Sequence, residues 1–181
     1  MWWIIGSVGL LVVVLILLYN GLVKMKNQLE NSLAQIDTQL QRRFDLIPNL
    51  VETVKGCAAH ETAVFENVTA ARAATGSAKT IEEKAAADNQ LTSTLKTLFA
   101  VSENYPDLKA SNNFKELQME LANTENKIAF SRQFYNDSVQ KFNTAIAMFP
   151  KNIVAAMMRY NKAEYFEVKD SAAKEAVKVQ F

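Results

Sequence analysis

One cysteine and one histidine occur in the whole sequence, and that scarcity excludes much. A lone thiol forms no intramolecular disulfide, so Cys57 marks no oxidising compartment. His60 and Glu61 open a zinc-type H-E-x-x-H pattern, but its fifth place is Val64, and the second ligand on the helix face is missing. Cys57 and His60 stand three apart with no other Cys or His to complete a site, so both read as structural residues. There is no Gly-rich phosphate loop and no nucleophile elbow, while Glu82 and Glu83 read as solvated surface. The expectation is a protein that is not an enzyme and uses no cofactor or metal.

Neither sign of charge prevails: 20 basic and 19 acidic side chains are interspersed, leaving no electrostatic footprint for nucleic acid. Only five Gly and three Pro interrupt a chain rich in Ala, Leu, Lys, Glu and Gln. No run of alternating β-branched residues suggests a sheet. The expected class is all-α.

What the sequence has in quantity is one uncharged run, residues 1–23, reading MWWIIGSVGLLVVVLILLYNGLV. As a helix rising about 1.5 Å per residue it is long enough to cross a hydrocarbon core of about 30 Å. A cleaved signal would need a basic start and a small-residue cleavage site, which are absent; a buried core helix explains a terminal apolar run less simply. The reading is a transmembrane anchor with Trp2, Trp3 and Tyr19 at its interfaces. All basic residues follow it, Lys24 and Lys26 at once, so the positive-inside rule places the remainder in the cytoplasm and a short amino terminus outside.

Behind the anchor lie about 158 residues, enough for one core. The expected division is an anchor (1–23), a helical bundle (24–168) and a tail (169–181). Met25, Leu29, Leu33, Ile36, Leu40, Phe44 and Ile47 step by four, four and three, an eleven-residue repeat that predicts a nearly straight helix continuous with the anchor, on the order of 65 Å long. Pro48 should kink this helix, or restart it with Asp45 as cap. Thr75-Gly76-Ser77 is read as the first hairpin turn. A further helix is expected over 81–101, ended by Asn104-Tyr105-Pro106-Asp107. Another runs from Ser111-Asn112-Asn113 to Pro150, with Phe114, Leu121, Ile128, Tyr135, Phe142 and Phe149 seven apart and small residues between them. The predicted fold is an antiparallel three- to four-helix bundle. Residues 152–166 either pack across the bundle end or lie on a membrane or partner surface.

Beside the bulky seam lie Glu125, Arg132 and Asn136, with Arg42 and Arg43 as natural opposite charges for Glu125 on an antiparallel helix. This set is read either as a register network or as exposed ion pairs worth under about 1 kcal/mol each. Val139 and Ile146 flank the seam and are the candidate oligomer contacts.

The segments QIDTQLQRRFDLIPNLVETVKGCAAHE (35–61) and LFAVSENYPDLKASNNFKELQMELANTENKIAFSRQFYNDSVQKFN (98–143) resemble the LemA family of bacterial membrane proteins. With the anchor and Phe149-Pro150, the resemblance covers nearly the whole chain; Cys57 stands where an aromatic residue is expected. It implies a single-pass inner-membrane protein with a helical cytoplasmic domain, in a family without established enzymatic activity. Some relatives are associated with shaping internal membranes, and others are encoded beside membrane proteases. The expected function is a membrane scaffold whose partners are lipid and copies of itself. The alternative is an adaptor for a membrane-protein partner such as a protease.

Overall fold

A computed structural model describes residues 2–58 and 60–168. The expected tail, 169–181, lies outside the described residues. Six helices and no strand occur among them: α1 (Trp2–Lys55), α2 (Thr62–Ser77), α3 (Ile81–Ser102), α4 (Pro106–Ala110), α5 (Asn112–Ala147) and α6 (Lys151–Met157). The fold is all-α. The chain divides into two compact units, the first from Met1–Gln39 with Glu125–Tyr165, the second from Leu40–Thr124 with the chain from Phe166.

Anchor and long helix are one element: α1 passes without a break from Trp2 through Pro48 to Lys55. Its buried positions correct the expected eleven-residue repeat. Leu22, Leu29, Ile36, Arg43 and Leu50 are buried seven apart, with Leu40 and Ile47 between the later ones and Val54 one turn beyond the last. Arg43 is only 3% exposed, whereas Phe44, which stood for it in the sequence reading, is partly buried. An arginine does not register as an apolar position, so the true period of seven was hidden.

In the second unit, the end of α1 packs with α2, α3, α4 and the start of α5 around Ile47, Leu50, Val54, Phe65, Val68, Leu91, Leu95, Leu98, Leu108, Phe114 and Leu121. Lys55 lies over the Phe65 ring at 6.0 Å and Arg72 over that of Phe44 at 3.7 Å, which sets α2 antiparallel to α1. The first reversal is therefore at 56–61, not at Thr75-Gly76-Ser77. The signal was Gly56 directly after Lys55; the Ala58 N–H closes the helix on the Val54 carbonyl at 2.9 Å. Residues 75–77 remain helical. The α2–α3 link is shorter, Ala78 to Thr80, and Thr80 with Glu83 forms a capping box on α3.

In the first unit, α5 presents Ile128, Tyr135 and Phe142 as buried bulky residues and Ser131, Ser138 and Ala145 as buried small ones. The sevenfold seam expected of α5 thus holds through Phe142; Phe149, its last expected member, is 78% exposed. Beyond it, α6 buries Val154 and Ala155 against Leu22 and Ala145.

Candidate functional site

Two places concentrate the polar and amphipathic residues, one in each unit. In the first unit, Trp2 to Leu17 are all exposed, and this is the one span among the described residues long and apolar enough to cross a membrane. Trp2 and Trp3 lie at its amino-terminal end, with Tyr19 also exposed. Lys24 is exposed, and Lys26 pairs with Glu30 one turn on, at 2.9 Å. Where the span ends, packing begins: Leu22 is fully covered by Ala145, Val154 and Ala155, with Leu18, Met25, Ile146, Met158 and Tyr160 around them.

The chain stays there because α6 is closed tightly. Arg159 takes a left-handed φ of 55°, and the Tyr160 and Arg159 N–H groups donate back to the Ala155 and Ala156 carbonyls at 3.0 and 3.1 Å. This is the paired closure of a Schellman motif, with Tyr160 supplying its apolar contact. The following segment runs back along α5. The Asn143 side chain brackets Ala163, donating to its carbonyl at 2.9 Å and accepting from its N–H at 2.8 Å. The Tyr135 hydroxyl donates to the Glu164 carbonyl at 2.9 Å, and burial, with the Glu164 charge as a smaller cause, pushes that phenol up to about 12.

This packing corrects the candidate oligomer contacts. Val139 is fully buried and Ile146 packs against the Leu22 cluster. For Ile146 the cover comes from α6, whose Val154 and Ala155 belong to the same cluster. Glu125, Arg132 and Asn136 are partly buried, and none of the three is free.

In the second unit, Arg42 pairs with Glu120, and Arg43 pairs with Asp88 at 2.9 Å with both side chains almost wholly buried. The sequence reading had missed both partners. Asp88 could have been found, because Ala85, Asp88, Leu91, Leu95 and Leu98 fall on one face of α3. A third arginine was missed altogether. Pro48 has no N–H for the Phe44 carbonyl one turn earlier, and Arg72 Nε donates to that carbonyl at 3.0 Å while its guanidinium rests on the Phe44 ring. Gly76 makes room, since a Cβ there would meet the same ring at 3.1 Å. Glu61 accepts a hydrogen bond from the Tyr105 hydroxyl at 3.0 Å, which raises that phenol's pKa. Cys57 and His60 are exposed.

These features belong to a chain whose residues 32–181 match the model of the LemA family. The chain belongs to the LemA family. Within it, this LemA chain is 28% identical over 189 residues to magnetosome protein MamQ 2 and to magnetosome protein MamQ 1 of Paramagnetospirillum magneticum (strain AMB-1), covering 90% of this chain and 70% of each relative. It is 26% identical over 181 residues to magnetosome protein MamQ of Magnetospirillum gryphiswaldense (strain MSR-1), covering 86% of this chain and 66% of that relative. The LemA chain is a membrane-associated protein. Both the Arg43–Asp88 pair and the α6 closure fall inside the matched residues.

Proposed function

We propose that this LemA-family protein is a non-enzymatic scaffold of the inner membrane, anchored by residues 1–23, with its helical domain cytoplasmic, that self-associates and organises or shapes the bilayer. The observation that carries the reading is the continuity of α1: one uninterrupted helix supplies both the exposed apolar span and the buried seam. Packing among neighbouring copies would then act directly on helices held in the membrane. Confinement to a plane raises the effective concentration of neighbours, so a weak contact suffices. Relatives named as magnetosome proteins support placing this chain among the family members associated with internal membranes.

With Val139 buried and Ile146 partly buried against the Leu22 cluster, the self-association surface moves to Phe130 and Phe134, one turn apart on α5 and 71% and 37% exposed. Changing both to Glu should leave helicity intact and lower the particle mass in mild detergent. A particle that is a monomer before and after the change overturns self-association, and an adaptor for another membrane protein then becomes the better reading. Orientation is tested by a protease-sensitive tag after Phe181; its digestion in intact cells would reverse the topology.

A further inference from the structure

We infer that the turn from α5 into α6 is a second membrane contact: an in-plane, cationic platform that lies on the anionic lipid headgroups beside the anchor and inserts Met148, Phe149, Ile153 and Met157 at their boundary with the acyl chains.

Depth is the first argument. From Trp2 to Leu22 the helix climbs about 30 Å, the thickness of a hydrocarbon core. α6 packs on Leu22, with Leu18 and Met25 on either side, so it sits where the chain leaves the hydrocarbon. Its buried face is taken by Val154 and Ala155. Its other residues, with the turn before it, expose Met148 at 59%, Phe149 at 78%, Ile153 at 51% and Met157 at 77%. Four large apolar side chains held at the height of the headgroups are suited to an interfacial helix.

Charge is the second and independent argument. Residues 1–29 contain Lys24 and Lys26 and no Asp or Glu, and residues 138–163 contain Lys141, Lys151, Arg159 and Lys162 and again none. The fold brings these two acid-free stretches together around Leu22 and Ala145. A balance that is even along the whole sequence thus becomes six cations at the membrane-proximal end, one of which, Lys26, has a carboxylate beside it, Glu30 at 2.9 Å. Between them is an apolar groove of about 550 Å³, lined by Met25, Lys141, Met148, Phe149 and Lys151. Lysines around an apolar floor suit the phosphate and upper acyl chain of an anionic lipid, and juxtamembrane cations are attracted to such a leaflet.

The inference rests on the anchored reading, and its test separates the two. In the full chain carrying Cys57→Ser, single cysteines at Phe149→Cys, Met157→Cys, Leu11→Cys and Ser77→Cys are labelled with an environment-sensitive fluorophore. Each is placed one chain per nanodisc of phosphatidylcholine, with or without phosphatidylglycerol, and circular dichroism confirms folding. Nitroxides on the upper acyl chain should quench labels at 149 and 157 several-fold more than the label at 77, and phosphatidylglycerol should strengthen the effect. Lys141→Gln with Lys151→Gln should weaken that lipid preference by about fivefold for each lysine removed. If Leu11 is quenched by mid-bilayer nitroxides but 149 and 157 behave like 77, the platform is overturned and the anchor stands. If Leu11 also escapes, the anchored reading falls. Quenching indifferent to phosphatidylglycerol overturns the anionic-lipid assignment.

Discussion

At the scale of single residues, Pro48 shows how a fold tolerates a helix breaker. An interior proline costs about 3 kcal/mol, partly through the orphaned carbonyl. Here Arg72 caps that carbonyl while stacking on the ring of the same residue, Phe44. Arg72→Met should destabilise the second unit by about 2 kcal/mol, whereas in a Pro48→Ala background the restored N–H should make the same change nearly neutral. Thermal or denaturant unfolding of the four variants measures this coupling, and equal cost in both backgrounds would sink the assignment. The Arg43–Asp88 pair makes a sharper case. Asp88→Asn removes the charge partner of a buried guanidinium and should cost about 3–5 kcal/mol, while Arg43→Met with Asp88→Leu should recover most of it. That Pro48 lies inside a helix was legible, because the apolar face resumes at Val51 and Val54. The partners were not legible: Arg72 and Asp88 are brought in by elements whose first turn had been placed some twenty residues too late.

Among the elements, α5 was the most readable, because a single period of seven needs no knowledge of its neighbours. The anchor was equally plain. Where reading failed, the cause was a missed stop: Gly56, directly after the last residue of α1, was not read as a turn, whereas Gly76 was, although it lies in the last turn of α2 and is small because Phe44 presses on it. The start of α3 was placed at residue 81 from composition, and its capping box accounts for it. Glu83 accepts from the Thr80 and Lys79 N–H groups at 3.0 and 2.8 Å, and these two bonds, Thr80's the larger, hold its carboxyl below the ordinary glutamate range. A lowered carboxyl stabilises the fold at pH above its unfolded value, and that contribution disappears as the pH falls through the folded one. Protection of the amides at the start of α3, taken relative to their intrinsic exchange rate at each pH, should therefore fall in acid, and Glu83→Gln should abolish that acid-dependent step. Thr80→Ala should cost about 1 kcal/mol at neutral pH. At the end of α6, Arg159→Gly should stabilise by up to about 1 kcal/mol, since glycine meets no steric penalty at a left-handed φ; a loss of stability would mean the arginine side chain contributes more than the strain removes.

For the molecule as a whole, composition hid what the topology arranges. An even count of charges along the chain gave no hint that its two acid-free stretches, more than a hundred residues apart, meet at Leu22 and Ala145. The same closure has a consequence for how the protein is made. Leu22 leaves the ribosome early, while Val154 and Ala155, which cover it, follow about 130 residues later. At about 5–20 residues per second, that separation is about 7–26 s of synthesis. Through that interval the anchor is available for insertion while the seam from Leu22 to Ile36 has no mate from its own chain. Nascent chains stalled before residue 125 should be cut by protease between Leu22 and Gln39, and chains extended through residue 168 and clear of the ribosome should resist. The birth of this protein is thus a race between completing its carboxyl-terminal third and the capture of a bare helix by a chaperone or a neighbouring nascent chain.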